Sequence, residues 1–341
     1  MTWNRRIAVA VALLALPAAV LVGQGDVEFK EGKWVRVAEP KEGTPAGELM
    51  LIREYLHEDE PKDAFEAAKD FLDRYPQTQK REEVMLLAGE AQMARGRYSD
   101  AYDWFERQIS EYPTGRFFRR ALQREYEIAD AFLKGRKKRL WHLFRVDATD
   151  DGLEILTRIV EQAPGTAIAR KSLLRMGDHY FEQARYPAAV DMYDQFLRIY
   201  GKSDQAAYAM LRAARASRLQ YRGPKYDATP LRSARQRYTA FVERFPTQAK
   251  KLDIERVRRE IVDMLAEKTF RTGLFYERVD RPKAADFYYR QVLTTFPRSA
   301  WASDAEAKLR GRRKPAAQPR RETTTKPTKL ESLVPDNKDE K

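Results

Sequence analysis

Six times along this chain a small residue is followed at steps of four by two apolar residues and then by a helix-stopping residue. The stops are Pro76, Pro113, Pro164, Gly201, Pro246 and Pro297, five of the six following an aromatic residue such as Tyr75 or Phe296 and the other following Ala163. Twelve residues before them stand Ala64, Ala101, Gly152, Ala189, Ala234 and Ala285. Eight before stand Ala68, Phe105, Leu156, Tyr193, Tyr238 and Tyr289. Four before stand Leu72, Ile109, Val160, Leu197, Val242 and Leu293. Residues four apart share a helix face, and proline cannot continue a helix. Each stripe therefore predicts one amphipathic helix, and the recurrence predicts an array.

A second helix precedes each stripe. Gly89, Gly177 and Gly273 lie twenty-four residues before their stops, inside segments of helical period. A glycine in a helix costs roughly 1 kcal/mol relative to alanine, so its return at one place predicts a close-packed neighbour. The small column at minus twelve is the expected facing surface. The unit is a helix, a turn and a helix, which resembles the tetratricopeptide repeat. The stops are spaced 37, 51, 37, 45 and 51 residues apart, wider than the usual period of about 34. The expected fold is all-α: a tetratricopeptide-like α-α superhelix, or solenoid, of about six helical hairpins.

The aromatic–proline endings, the long junctions and the closing "LAEKTFRTGLFYERVDRPKAADFYYRQVLTTFPRSAWASDA" together resemble the BamD/ComL family. The resemblance covers roughly residues 47–310. It implies a noncatalytic component of outer-membrane β-barrel assembly, built from about five such repeats. It also implies partners: a periplasmic domain of the barrel-assembly subunit and unfolded outer-membrane protein segments. Members usually carry a lipidated cysteine after an apolar leader. This sequence has no cysteine, so it has no residue for that lipid and none for a disulfide or a thiolate metal site.

The remaining segments read as follows. Arg5 and Arg6, the apolar run Ile7–Val22 and the small residues Gly23 and Gly25 read as a secretory signal over residues 1–25. A retained membrane anchor is the alternative. Residues 26–46 read as an extended leader, with Trp34 as a contact to the first repeat. Residues 311–341, rich in Pro, Thr and charge, read as a disordered tail. The expected location is the periplasm or the periplasmic face of the envelope, without a lipid.

Chemistry is sparse. His57, His142 and His179 are the only histidines, and none has a partner at metal-ligand spacing. No nucleophile–base arrangement, phosphate loop or complete calcium loop is present, so no cofactor, metal or catalytic residue is expected. "DATDDG" at 147–152 reads as helix capping by Asp147, Asp150 and Asp151.

The net charge of +13 is partly local. An insert in the third repeat, "GRKKRLWHLFRV" (135–146), carries five basic residues and no acid. Arg136, Lys137, Lys138, Arg139, Trp141 and Phe144 form the candidate partner-binding set, since cations steer and aromatics supply contact area. The alternative is that the apolar residues fold back onto the neighbouring repeat. An exported chain does not meet nucleic acid, and no recognition motif of that class occurs. The functional readings are a BamD-like assembly scaffold, a periplasmic adaptor for cell-wall or division machinery, and a peripheral binder of anionic membrane.

Overall fold

The structure, a computed structural model, describes residues 27–30, 33–36, 41, 43–140 and 144–312. The expected signal segment and nearly all of the expected tail lie outside these residues. The chain divides into two compact units, one running to His179 and the other starting at Tyr180.

In the first unit, β1 (Val27–Lys30) and β2 (Lys33–Arg36) form an antiparallel hairpin, with Phe29 paired to Trp34 in register. The strands fall within the expected extended leader, residues 26–46, and the Trp34 side chain lies outside the described residues. Helices α1 (Pro45–His57), α2 (Pro61–Arg74), α3 (Arg81–Ala94), α4 (Tyr98–Glu111) and α5 (Phe118–Leu133) follow. A second hairpin, β3 (Lys138–Leu140) and β4 (Phe144–Val146), leads to α6 (Thr149–Gln162). Each helix from α1 to α5 packs on the next. Helix α7 (Ala167–Glu182) runs through the division between the units.

The second unit contains α8 (Tyr186–Tyr200), α9 (Ala206–Leu219), α10 (Thr229–Arg244), the short α11 (Pro246–Lys251), α12 (Ile254–Arg278), α13 (Pro282–Thr295) and α14 (Ala302–Arg312). Here too sequential helices pack on one another, and α14 closes the stack against α13. The described chain is thus a tetratricopeptide-like all-α repeat preceded by one small hairpin and interrupted by another. Its six predicted second helices are α2, α4, α6, α8, α10 and α13.

The minus-twelve column is buried in all six, and so is the minus-eight column. The minus-four column is not. Leu72 and Ile109 are buried, whereas Val160, Leu197, Val242 and Leu293 are only half-buried. The buried place is minus five, held by Phe71, Gln108, Ile159, Phe196, Phe241 and Val292. The reason is geometric. Each step of four turns a helix about 40° past a full revolution, so two steps move a side chain about 80° off the stripe. A step of four followed by one of three returns it. Phe71, Phe196 and Phe241 then pack on the residue before the stop, with Phe71–Tyr75 ring centroids 5.1 Å apart and the other two pairs at 5.6 Å.

The glycines also face a different surface from the expected one. A Cβ at Gly89 would lie 2.4 Å from the Phe105 ring, and one at Gly273 would lie 2.6 Å from Tyr289. They therefore meet the minus-eight aromatics. The small column instead meets the preceding helix's backbone: a Cβ at Gly152 would stand 2.9 Å from the Ala129 carbonyl oxygen. In the first repeat the bulk is exchanged, with Ile52 at minus twenty-four and Ala68 at minus eight, both buried in one core cluster.

A further column sits at minus seventeen, where Asp59, Gly96, Ala184 and Asp280 all adopt positive φ. The next residue's N–H closes a six-residue turn, as in Arg97 to Gln92 O at 2.9 Å and Arg281 to Tyr276 O at 2.8 Å. This is the Schellman stop, which satisfies the last carbonyls of the helix. The third repeat keeps it at Gly135 and Arg136 before its insert begins.

Candidate functional site

The residue that closes this turn is arginine at positions 97, 136, 185 and 281. A cation there complements the negative end of the helix dipole. Arg97 and Arg136 occupy equivalent places in successive repeats and line one cleft of about 720 Å³ in the first unit. Arg95, Lys134, Lys137 and Lys138 join them, with Asp100 the one carboxylate in the lining.

Several of these cations are already engaged. Lys134 lies 2.6 Å from Asp130, which also binds Arg175 at 2.6 Å. Lys138 Nζ lies 2.5 Å from Asp151, and Arg97 lies 3.9 Å from Asp100. Arg136 is exposed and sits 4.3 Å from the Tyr98 ring centroid, a cation–π contact. Lys137 is exposed beside Asp147. Asp147 accepts from the backbone N–H and the hydroxyl of Thr149 at 2.8 and 2.7 Å, which with Lys137 holds its carboxyl below the usual range. The N-cap of α6 is thus Ala148 and not an aspartate; Asp147, one residue earlier, takes up the first helical N–H, and Asp151 pairs with Lys138 of the insert.

Of the sequence-derived set, Arg136, Lys137 and Lys138 are brought together in the cleft. Arg139 pairs with Arg145, and Phe144 with Leu140, in the register of the second hairpin. The side chains of residues 139–145 and the whole of Trp141 lie outside the described residues. The hairpin itself was not foreseen.

A second cleft, in the second unit, was missed. It has a volume of about 760 Å³ and lies between the fifth-repeat insert and α12. Arg222, Lys225, Lys268, Arg271 and Arg278 line it, together with Tyr226 and Phe275. Lys268 donates to the carbonyls of Tyr226 and Pro224 at 2.6 and 3.2 Å, fastening the insert to the helix. One sequence signal did point there. Both inserts end in Asp-Ala-Thr, and Asp227 accepts from the N–H and hydroxyl of Thr229 just as Asp147 does from Thr149.

One buried ionisable group stands apart. Glu125 on α5 is fully buried, and neither carboxyl oxygen finds a donor among the described residues. Burial, with Glu106 adding repulsion and Arg158 opposing, pushes its pKa up to about 9. Arg158 pairs instead with Glu154 at 3.0 Å and Glu106 at 3.5 Å. His179 is buried and His57 exposed. Among the described residues no group of three or more His, Cys, Asp or Glu could hold a metal ion, and no helix is long and apolar enough to cross a membrane.

No curated protein matches the chain. Solved structures similar to it include the C-terminal part of a TPR repeat-containing protein from Cytophaga hutchinsonii. That likeness has 16% identity over 78% of this chain and 88% of that one, with a TM-score of 0.40. A tetratricopeptide repeat protein from Parabacteroides merdae has 11% identity over 78% and 97%, with a TM-score of 0.36. MamA from Desulfovibrio magneticus has 13% identity over 59% and 94%, with a TM-score of 0.34. Residues 149–310, just under half of the chain and spanning α6 into α14, match the family YfiO, described as an outer membrane lipoprotein. With its recurring columns and helical pairs the chain has a tetratricopeptide-like fold, and its residues 149–310 are similar to the outer membrane lipoprotein family YfiO.

Proposed function

We propose that this protein is a scaffold of the bacterial envelope that holds other proteins during assembly of outer-membrane β-barrels. The observation that carries this reading is the match of α6 through α14 to the outer membrane lipoprotein family. Its partners are the barrel-assembly subunit and unfolded outer-membrane protein segments, met on the periplasmic side. The sequence holds no cysteine to carry a thioether lipid, so in this reading its partners or a retained apolar leader hold it at the membrane.

The cleft around Arg136 and Lys137 lies before the matched residues. The exposed Arg136, which meets the Tyr98 ring, adds to a surface where cations outnumber carboxylates. Such a surface draws acidic partners by long-range attraction while the ring offers apolar contact. Serine at Arg136, Lys137, Lys138 and Arg139 together tests this. The melting temperature should fall little, because a half-exposed pair such as Lys138–Asp151 contributes about 1 kcal/mol. Capture of the barrel-assembly subunit from solubilised envelopes should drop about tenfold, and added salt should weaken the unmodified protein in the same way. Equal capture with and without the four charges would contradict the role of the cleft. Loss of flotation with anionic liposomes alone would make it a membrane surface.

A further inference from the structure

We infer that residues 330–340 of this chain, "LESLVPDNKDE", occupy the cleft of the second unit. The cleft is unusual in its charge. Its lining contains five cations and no carboxylate. Lys268 is held by carbonyl oxygens and Arg271 by Glu267 at 2.7 Å. Arg222 meets only a ring, with its guanidinium 5.1 Å from the Tyr226 centroid. Lys225 and Arg278 have no ion pair among the described residues. Three neighbouring cations without a carboxylate repel one another, so an acidic occupant lowers the energy of the folded chain.

The same cleft exposes apolar surface. Tyr226 and Phe275 remain 52% and 50% exposed. An occupant with acidic and apolar residues close together fits both features. Residues 330–340 supply Leu330, Leu333 and Val334 as the apolar group, and Glu331, Asp336, Asp339 and Glu340 against the single cation Lys338. The stretch before it has the opposite character, with seven basic residues against Glu322 over 311–330. The acidic end is thus the part of this segment that the cleft selects.

The chain also leaves the described structure near the turn of α12 that carries part of the lining. Lys308, in the last turns of α14, lies 3.2 Å from Glu277, which sits on α12 between the lining residues Phe275 and Arg278. From Arg312 to Leu330 the backbone spans up to about 60 Å at roughly 3.3 Å per residue, more than sufficient to turn back to α12. Being tethered, the segment acts at a high effective concentration and competes with acidic partners from outside.

A photo-crosslinking amino acid in place of Phe275 in the full chain tests this. An equal mixture of light and heavy isotope-labelled chains separates crosslinks within one chain from those between chains. The expected product joins position 275 to residues 330–340 of the same chain. Replacing Glu331, Asp336, Asp339 and Glu340 by lysine should reduce its yield about tenfold, and so should raised salt. The inference is overturned if no product contains residues 330–340, if charge reversal leaves the yield unchanged, or if the product joins two chains. None of these outcomes bears on the third-repeat cleft, so the scaffold reading stands or falls separately.

Discussion

Gly89→Ile should unfold the second repeat, and Phe105→Ala in the same chain should restore much of what is lost. The Cβ alone would stand 2.4 to 2.8 Å from three atoms of the Phe105 ring. That ring is fully buried and cannot step aside without shifting α4 from α3. Overpacking of this kind costs roughly 3 kcal/mol or more. Phe105→Ala alone leaves a cavity and costs about 3–5 kcal/mol. The two together reproduce the pairing that the first repeat already uses, Ile52 on the first helix and Ala68 on the second. A denaturant titration of the four chains should show a favourable coupling of about 2 kcal/mol or more. Strictly additive losses would mean that the two positions do not face each other.

Glu125→Gln should raise stability at neutral and alkaline pH and change little near pH 4. The folded carboxyl has its pKa pushed up from 4.5 to about 9, chiefly by burial. The folded chain therefore keeps a proton that the unfolded chain releases. Stability is greatest below the unfolded pKa, falls as pH rises from 4.5 toward 9, and is level above that. At pH 7 the loss is on the order of 3 kcal/mol, at 1.36 kcal/mol per pH unit. Glutamine has nearly the same shape and cannot ionise, so its stability should stay level across this window. Melting temperatures of both chains between pH 4 and pH 9 measure the difference. Parallel curves would show that Glu125 reaches solvent or a donor.

The helices and their partners were legible in the sequence because a volume pattern survives divergence. Alanine or glycine at minus twelve marks the place where two backbones approach, whatever else the helix carries. The minus-four column misled because a strict step of four drifts around a helix, and the eye reads Leu197 and Leu293 as core when Phe196 and Val292 are. The minus-seventeen column was invisible for a different reason. Asp59, Gly96, Ala184 and Asp280 share a backbone conformation and no chemistry, so no residue type marks it.

The sites were legible only where charge is contiguous. Arg136, Lys137 and Lys138 stand in one run, so the first cleft drew attention. Its hairpin did not, since strands of three residues leave no alternating pattern to read. The second cleft joins Arg222 and Lys225 to Arg271 and Arg278, nearly fifty residues later. Only the fold brings these together, through the Lys268 bonds to Pro224 and Tyr226.

The scaffold reading is tested most directly by a photo-crosslinking amino acid at Lys137, an exposed lining residue of the third-repeat cleft, in intact envelopes. The chain should become joined to the barrel-assembly subunit or to unassembled outer-membrane barrel proteins, identified by mass spectrometry of the joined peptides. Crosslinks confined to cell-wall or division proteins, or to lipid alone, would contradict it.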